Sequence, residues 1–179
     1  MRKWNSIVSL LMVIVFALHA IMGSFMLNGI GSSAGKPLAW IGCVLILAHL
    51  VFGVILTVQT IRSGKASGKW YLKQNALFWT RRISGIVILI MAFFHIGLFG
   101  GMVENQYILY EFTTVKFLIQ MLLIAALFTH IFVNIRPLLI SLGILKYKER
   151  RVDIFLILSI VLLFCAGAVT FYYIGWQLL

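Results

Sequence analysis

Five apolar runs, Ile7 to Leu27, Leu38 to Ile61, Ile83 to Val103, Val115 to Ile135 and Val152 to Gly175, constrain this chain more than any other feature. Each is near the roughly 20 residues that an α-helix needs to cross a hydrocarbon core of about 30 Å. A water-soluble core does not account for them, because 63% of the residues are hydrophobic and 11% are charged. The mean hydropathy of +1.08 points the same way. The expected fold is therefore an all-α membrane protein, with residues 1–179 forming one transmembrane domain of five helices. No stretch is left over for a soluble catalytic domain.

The connections carry turn chemistry: Asn28 to Ser33, Ser63 to Gly68, and the charged run Lys146 to Arg151. Pro137 is expected to kink or end the fourth helix, with Leu138 to Leu145 as a continuation along the interface. Arg2 and Lys3 before an apolar run also fit a signal peptide. That run exceeds the usual apolar region of about 7 to 15 residues, so it is read as a retained first helix.

Basic residues alternate by connection. Arg2, Lys3, Arg62, Lys65, Lys69, Lys73, Arg81, Arg82, Arg136, Lys146, Lys148, Arg150 and Arg151 fall on one side, and only Lys36 and Lys116 on the other. By the positive-inside rule the N-terminus is cytoplasmic and the C-terminus outside. The net charge of +11 is mostly this topology signal. It also attracts anionic lipid or an acidic partner at that face, and nucleic acid is not an expected partner.

Chemistry concentrates in His19, His49, His95 and His130, one on each of the first four helices. An ionisable side chain in hydrocarbon is costly and faces the protein interior with a partner. For a single histidine, an interhelical hydrogen bond is the plainer reading. Four, evenly distributed, fit axial ligation of haem iron, which takes two neutral imidazoles from opposite faces of a porphyrin. Cys43 and Cys165 stand alone in apolar runs, with no C-x-x-C-H attachment site, and read as small core residues.

In an up-down-up-down bundle the parallel helices are diagonal and face across the core. His19 is thereby paired with His95, and His49 with His130, so the first four helices surround two haems. Depth supports the first pair: His19 lies 15 residues beyond Trp4 and His95 lies 13 beyond Arg82, about 20 Å in each case. The second pair is less even, with His130 six residues before Arg136 and His49 thirteen before Arg62, about 9 Å and 20 Å. Gly23 and Gly53, one turn from His19 and His49, leave room for a flat macrocycle, and Gly97, Ala125 and Ala126 are candidates on the other two helices. Small residues at this spacing are equally common in ordinary membrane helix packing. Phe93, Phe94, Phe99, Met22 and Met26 read as lipid or core packing.

These residues resemble the cytochrome b membrane anchors of succinate dehydrogenases and fumarate reductases. The five-helix, two-haem members carry their ligands on the first four helices. Arg82-Ile83-Ser84-Gly85 is similar to the H-R-x-S-G opening of a helix in these anchors, with Arg81 replacing the histidine. His130 to Gly143 resembles their H-x-x-x-G-I-R-H-L-x-x-D-x-G signature, with Asn134, Pro137 and Ser141 in place of Gly, His and Asp. In one-haem relatives a serine four residues before the arginine helps bind quinone. Phe78 occupies that position, so that site is not carried over.

The resemblance implies a bacterial cytoplasmic-membrane subunit that binds two b haems and passes electrons between membrane quinone, menaquinone being the expected one, and a cytoplasmic iron–sulfur protein and flavoprotein. The dicarboxylate chemistry belongs to those partners. This chain itself has no nucleotide-binding glycine loop, no iron–sulfur cysteine set and few carboxylates. Arg82 and Arg136, ahead of Arg62 and Arg81, are candidates for haem propionates or for docking the iron–sulfur subunit.

The resemblance to the two-haem members implies that quinone is handled near the outer face, close to the haem held by His19 and His95, where Glu104, Asn105, Gln106, Tyr107, Tyr110 and Glu111 supply polar groups. Glu104 and Glu111 are the proton-exchange candidates, although an exposed loop carboxylate is usually just solvated. In quinol:fumarate reductases an acidic residue near the first outer connection is implicated, whereas this chain has Ser32, Ser33 and Lys36 there. Two other classes remain open: a di-haem quinone-reactive subunit of a hydrogenase or formate dehydrogenase, and a haem-free transporter using its histidines as a proton relay.

Overall fold

The computed structural model describes residues 2–29, 35–66, 76–103, 106–146 and 152–178. Within them run five helices, α1 (Arg2–Leu27), α2 (Gly35–Ala66), α3 (Ala76–His95), α4 (Thr114–Ser141) and α5 (Val152–Leu178). All five are long and apolar enough to cross a membrane. A short hairpin of β1 (Gly100–Val103) and β2 (Gln106–Leu109) joins α3 to α4, with Gly100 opposite Leu109 and Val103 opposite Gln106.

The third helix departs from the run read off hydropathy, beginning at Ala76 rather than Ile83 and ending at His95 rather than Val103. At its start, Arg81 and Arg82 stay helical, because a long basic side chain carries its charge away from the helix to polar groups beyond it while the backbone remains in the ladder. At its end, Gly97 adopts φ 73° and the Leu98 amide donates back to the His95 carbonyl at 3.1 Å. A left-handed glycine just past the last turn is a common helix stop. Gly97 therefore ends the helix.

Pro137 does not end α4, which runs through it to Ser141 and is capped at Leu142, before Gly143 at φ 75°. Proline has no N–H, so the Val133 carbonyl loses its usual donor four residues on. The Arg81 guanidinium of α3 fills that place, Nη2 donating to Val133 O at 3.3 Å.

The helices form two antiparallel hairpins, α1 with α2 and α3 with α4, while α5 packs along both α1 and α4. Helices α1 and α4 also touch, whereas α2 and α3 make no mutual contact among the described residues. The order α2, α1, α4, α3 sets α1 diagonal to α3 and α2 diagonal to α4. A gap lies between the two hairpins.

The buried core sits on the α4–α5 side. Ile131, Ile135, Leu139 and Leu145 pack with Phe155 and Leu158 of α5 at the end where α1 begins. Leu98, Phe112 and Val169 pack with Tyr172, Tyr173 and Trp176 at the other end. No described side chain of α2 is buried. Its Trp40, Val44, Leu47, Val51, Val54 and Val58 form an exposed apolar stripe suited to lipid.

Candidate functional site

The four histidines meet in two pairs across the gap. His19 of α1 and His95 of α3 have ring centroids 6.2 Å apart with planes at 85°. His49 of α2 and His130 of α4 are 6.3 Å apart at 90°. The second pair meets although α2 runs 17 residues past His49 to Ala66 and α4 only 11 past His130 to Ser141, so α2 reaches further beyond the pair than α4 does. Two metal–nitrogen bonds of about 2 Å plus the half-widths of two imidazoles give about 6 Å between centroids. Both pairs match that span.

Hydrogen bonds select the tautomer of three of the rings. Ser9 Oγ donates its single proton to Asn5 O at 2.7 Å and stands 3.1 Å from His49 Nδ1. Ser84 Oγ donates to Thr80 O at 2.6 Å and stands 3.0 Å from His130 Nδ1. A hydroxyl whose proton is already used can only accept, so each Nδ1 carries the hydrogen. His95 Nδ1 likewise donates to Gln120 Oε1 at 2.8 Å. In each case the lone pair is left on Nε2, and among the described residues no hydrogen bond uses the Nε2 of any of the four. This is the usual arrangement of a ligating histidine. His19 differs in that its Nδ1 is buried without a partner.

A cavity of about 1150 Å³ opens beside His49 and His130, walled by α1, α2, α3 and α4. It is slightly larger than the roughly 300–1,000 Å³ usual for a bound small molecule. Gly53 lines it, and a Cβ there would meet only open space. Behind His130, a Cβ on Gly85 would stand 3.4 Å from His130 Cε1, so the bare backbone of α3 supports that ring. Arg81 and Arg82 also line the cavity, and the Nε of each is buried without a partner. The Arg82 guanidinium lies 4.7 Å above the ring of Phe78. Unpaired buried guanidinium nitrogens are costly and suit an anion that accepts from them.

Arg136 lies elsewhere. It is exposed on α4 and does not line the cavity, and Arg62 is exposed as well. Asn134, Pro137 and Ser141 all line the wall, where Asn134 Nδ2 donates to His130 O at 2.7 Å and Ser141 Oγ meets Ser6 Oγ at 2.7 Å.

At the opposite end His95 touches Phe99 at 5.8 Å, and Phe99 stacks on Phe112 at 5.1 Å. Phe112 continues to Tyr172 at 5.2 Å, and Tyr172 to Trp176 at 6.3 Å. Phe99 belongs to this core, while Phe93 and Phe94 are exposed, as lipid packing requires. A Cβ on Gly23 would meet nothing within 4 Å. Glu111 is exposed in the link between β2 and α4. Glu104 and Asn105 lie outside the described residues, as do Ser32, Ser33, Lys69, Lys73, Lys148, Arg150 and Arg151. Cys43 is half-buried and Cys165 buried, and both are free thiols.

Ser9 and Gln120 escaped sequence reading altogether, and Ser84 and Gly85 stood in a motif with no role attached. An isolated polar residue inside an apolar run was the available signal. Among the described residues no three His, Cys, Asp or Glu side chains converge, so each candidate site is a pair of imidazoles. Comparison with family models, curated proteins and solved structures returns no match. Fold and site define the class as a helical protein with five apolar spans and two facing histidine pairs.

Proposed function

We propose that this chain is the membrane anchor and electron-transfer subunit of a succinate:quinone oxidoreductase, either a succinate dehydrogenase or a fumarate reductase. In this reading it lies in the bacterial cytoplasmic membrane and binds two b haems. It links a cytoplasmic iron–sulfur protein and flavoprotein to membrane quinone. The observation that carries it is the pair of facing imidazoles on each diagonal, at 6.2 and 6.3 Å.

The residues present fit the group. Two imidazoles alone make a poor site for zinc, which takes three or four protein ligands. They suit an iron whose other four positions a porphyrin fills. The unpaired Nε atoms of Arg81 and Arg82 fit its carboxylates, Gly53 keeps the wall beside His49 free of a side chain, and Gly85 lets the His130 ring lie against bare backbone.

A bound b haem supplies reversible one-electron storage. The chain does the rest. His49 and His130 present Nε2 lone pairs from opposite sides while Ser9 and Ser84 hold their rings. Arg81 and Arg82 lie at the basic end, where the iron–sulfur partner docks in this reading. His19 and His95 serve the far end, near the outer hairpin and Glu111, where quinone is handled.

The test is the reduced-minus-oxidised spectrum and haemochrome content of the purified chain, expected to show two b haems per chain. One haem or none overturns the reading, and none leaves the haem-free proton-relay class, which the scarcity of acidic residues, four in the whole chain, disfavours. Co-purification with a flavoprotein that oxidises succinate or reduces fumarate separates it from a hydrogenase or formate dehydrogenase subunit.

A further inference from the structure

The three hydrogen bonds to histidine Nδ1 atoms follow one rule: each acceptor sits on the antiparallel neighbour of the helix that carries the ligand. Ser9 of α1 holds His49 of α2, Ser84 of α3 holds His130 of α4, and Gln120 of α4 holds His95 of α3. In the α3–α4 hairpin the exchange is reciprocal. Moving 11 residues forward from Ser84 reaches His95, and 10 back from His130 reaches Gln120, its partner.

The same step in the α1–α2 hairpin moves 10 residues forward from Ser9 to His19 and 10 back from His49 to Ala39. The register between these positions is supported by Gly42, whose Cβ would stand 3.9 Å from Val15. Ala39 is half-buried and has no acceptor atom in its side chain. This agrees with the buried, unpartnered Nδ1 of His19.

We infer that Ser9, Ser84 and Gln120 are positioning residues that fix tautomer and donor strength of the haem ligands, and that Ala39 occupies the fourth position of the set, leaving His19 the one unsupported ligand. The inference rests on the two-haem reading above. An acceptor on Nδ1–H pushes electron density toward Nε2, makes it a stronger donor and favours ferric over ferrous iron. The His49–His130 site has this support on both ligands, and the His19–His95 site on one.

The test is redox titration of each haem in the purified wild-type chain and in single variants, together with haem retention. Ser84→Ala should raise the potential of the His49–His130 haem by about 59 mV, a tenfold change in its one-electron equilibrium, or weaken its retention by about tenfold. The other haem should not change. Ser84→Thr, which keeps the hydroxyl, should restore wild-type behaviour, which a purely steric role would not produce. Gln120→Leu should act in the same direction on the His19–His95 haem alone.

Ala39→Gln should act oppositely, lowering the potential of that haem by supplying the missing acceptor. Two haems with potentials and retention unchanged in Ser84→Ala and Gln120→Leu overturn the positioning roles. An unchanged potential in Ala39→Gln overturns the assignment of the fourth position. A wild-type chain without haem overturns the reading beneath both.

Discussion

The guanidinium of Arg81 donates to the backbone carbonyl of Val133, which Pro137 leaves without its helical donor. This contact between neighbouring helices follows from a proline in the interior of one of them. Arg81→Gln should destabilise the protein by about 1 kcal/mol, the usual net value of such a bond. In a Pro137→Ala background, where the backbone regains the missing N–H, the same substitution should cost less. A double-mutant cycle measured by denaturant unfolding in detergent checks the coupling, and additive effects would remove the link.

Single replacement of His19 or His95 by alanine should remove one spectral component, and replacement of His49 or His130 the other. The rings pair in that way at 6.2 and 6.3 Å. Low-temperature difference spectra of the four variants decide it. Loss of the same component in His19→Ala and His49→Ala would refute the pairing.

Neutralising Arg82 should loosen the haem at His49 and His130 by about tenfold, because Arg82 lines the cavity with a buried, unpaired Nε. Arg136→Gln should leave haem retention unchanged, since Arg136 is exposed and does not line the cavity. Its contribution, if the partner docks there, is to assembly and weakens as salt is raised. Haem content and co-purification of the soluble subunits, measured side by side in the two variants, separate these roles.

Gly85→Ala should be tolerated, because the added Cβ meets His130 Cε1 at 3.4 Å, ordinary van der Waals contact. Gly85→Leu places further atoms where the imidazole stands and should displace it, lowering haem content from two per chain to one. Haemochrome assay of both variants gives the comparison, and two haems retained in Gly85→Leu would show that His130 is not held against α3.

Glu104→Gln and Glu111→Gln should reduce quinone-linked turnover in the assembled complex while turnover with an artificial electron carrier is kept. Glu111 is exposed at the end of the bundle nearest His95. Equal quinone activity in both variants and in the double variant would remove these carboxylates from proton exchange.

Hydropathy by itself determined five spans, because crossing hydrocarbon requires about 20 apolar residues and leaves the chain no other way to satisfy its backbone. One histidine per helix and the alternation of helix direction were enough to pair His19 with His95 and His49 with His130, since diagonal helices in a bundle face each other. The bounds of α3 were not legible, because hydropathy follows side chains while the helix follows backbone hydrogen bonds, which Arg81 and Arg82 tolerate and Gly97 ends. The roles of Ser9, Ser84 and Gln120 were decided only in three dimensions. Ser9 and His49 are 40 positions apart, and Ser84 and His130 are 46. Whether they meet depends on the register between antiparallel helices, which no single helix encodes. For the same reason Arg82 and Arg136, alike in charge, are separated only by the faces on which they lie: one borders the cavity beside the histidines and the other does not.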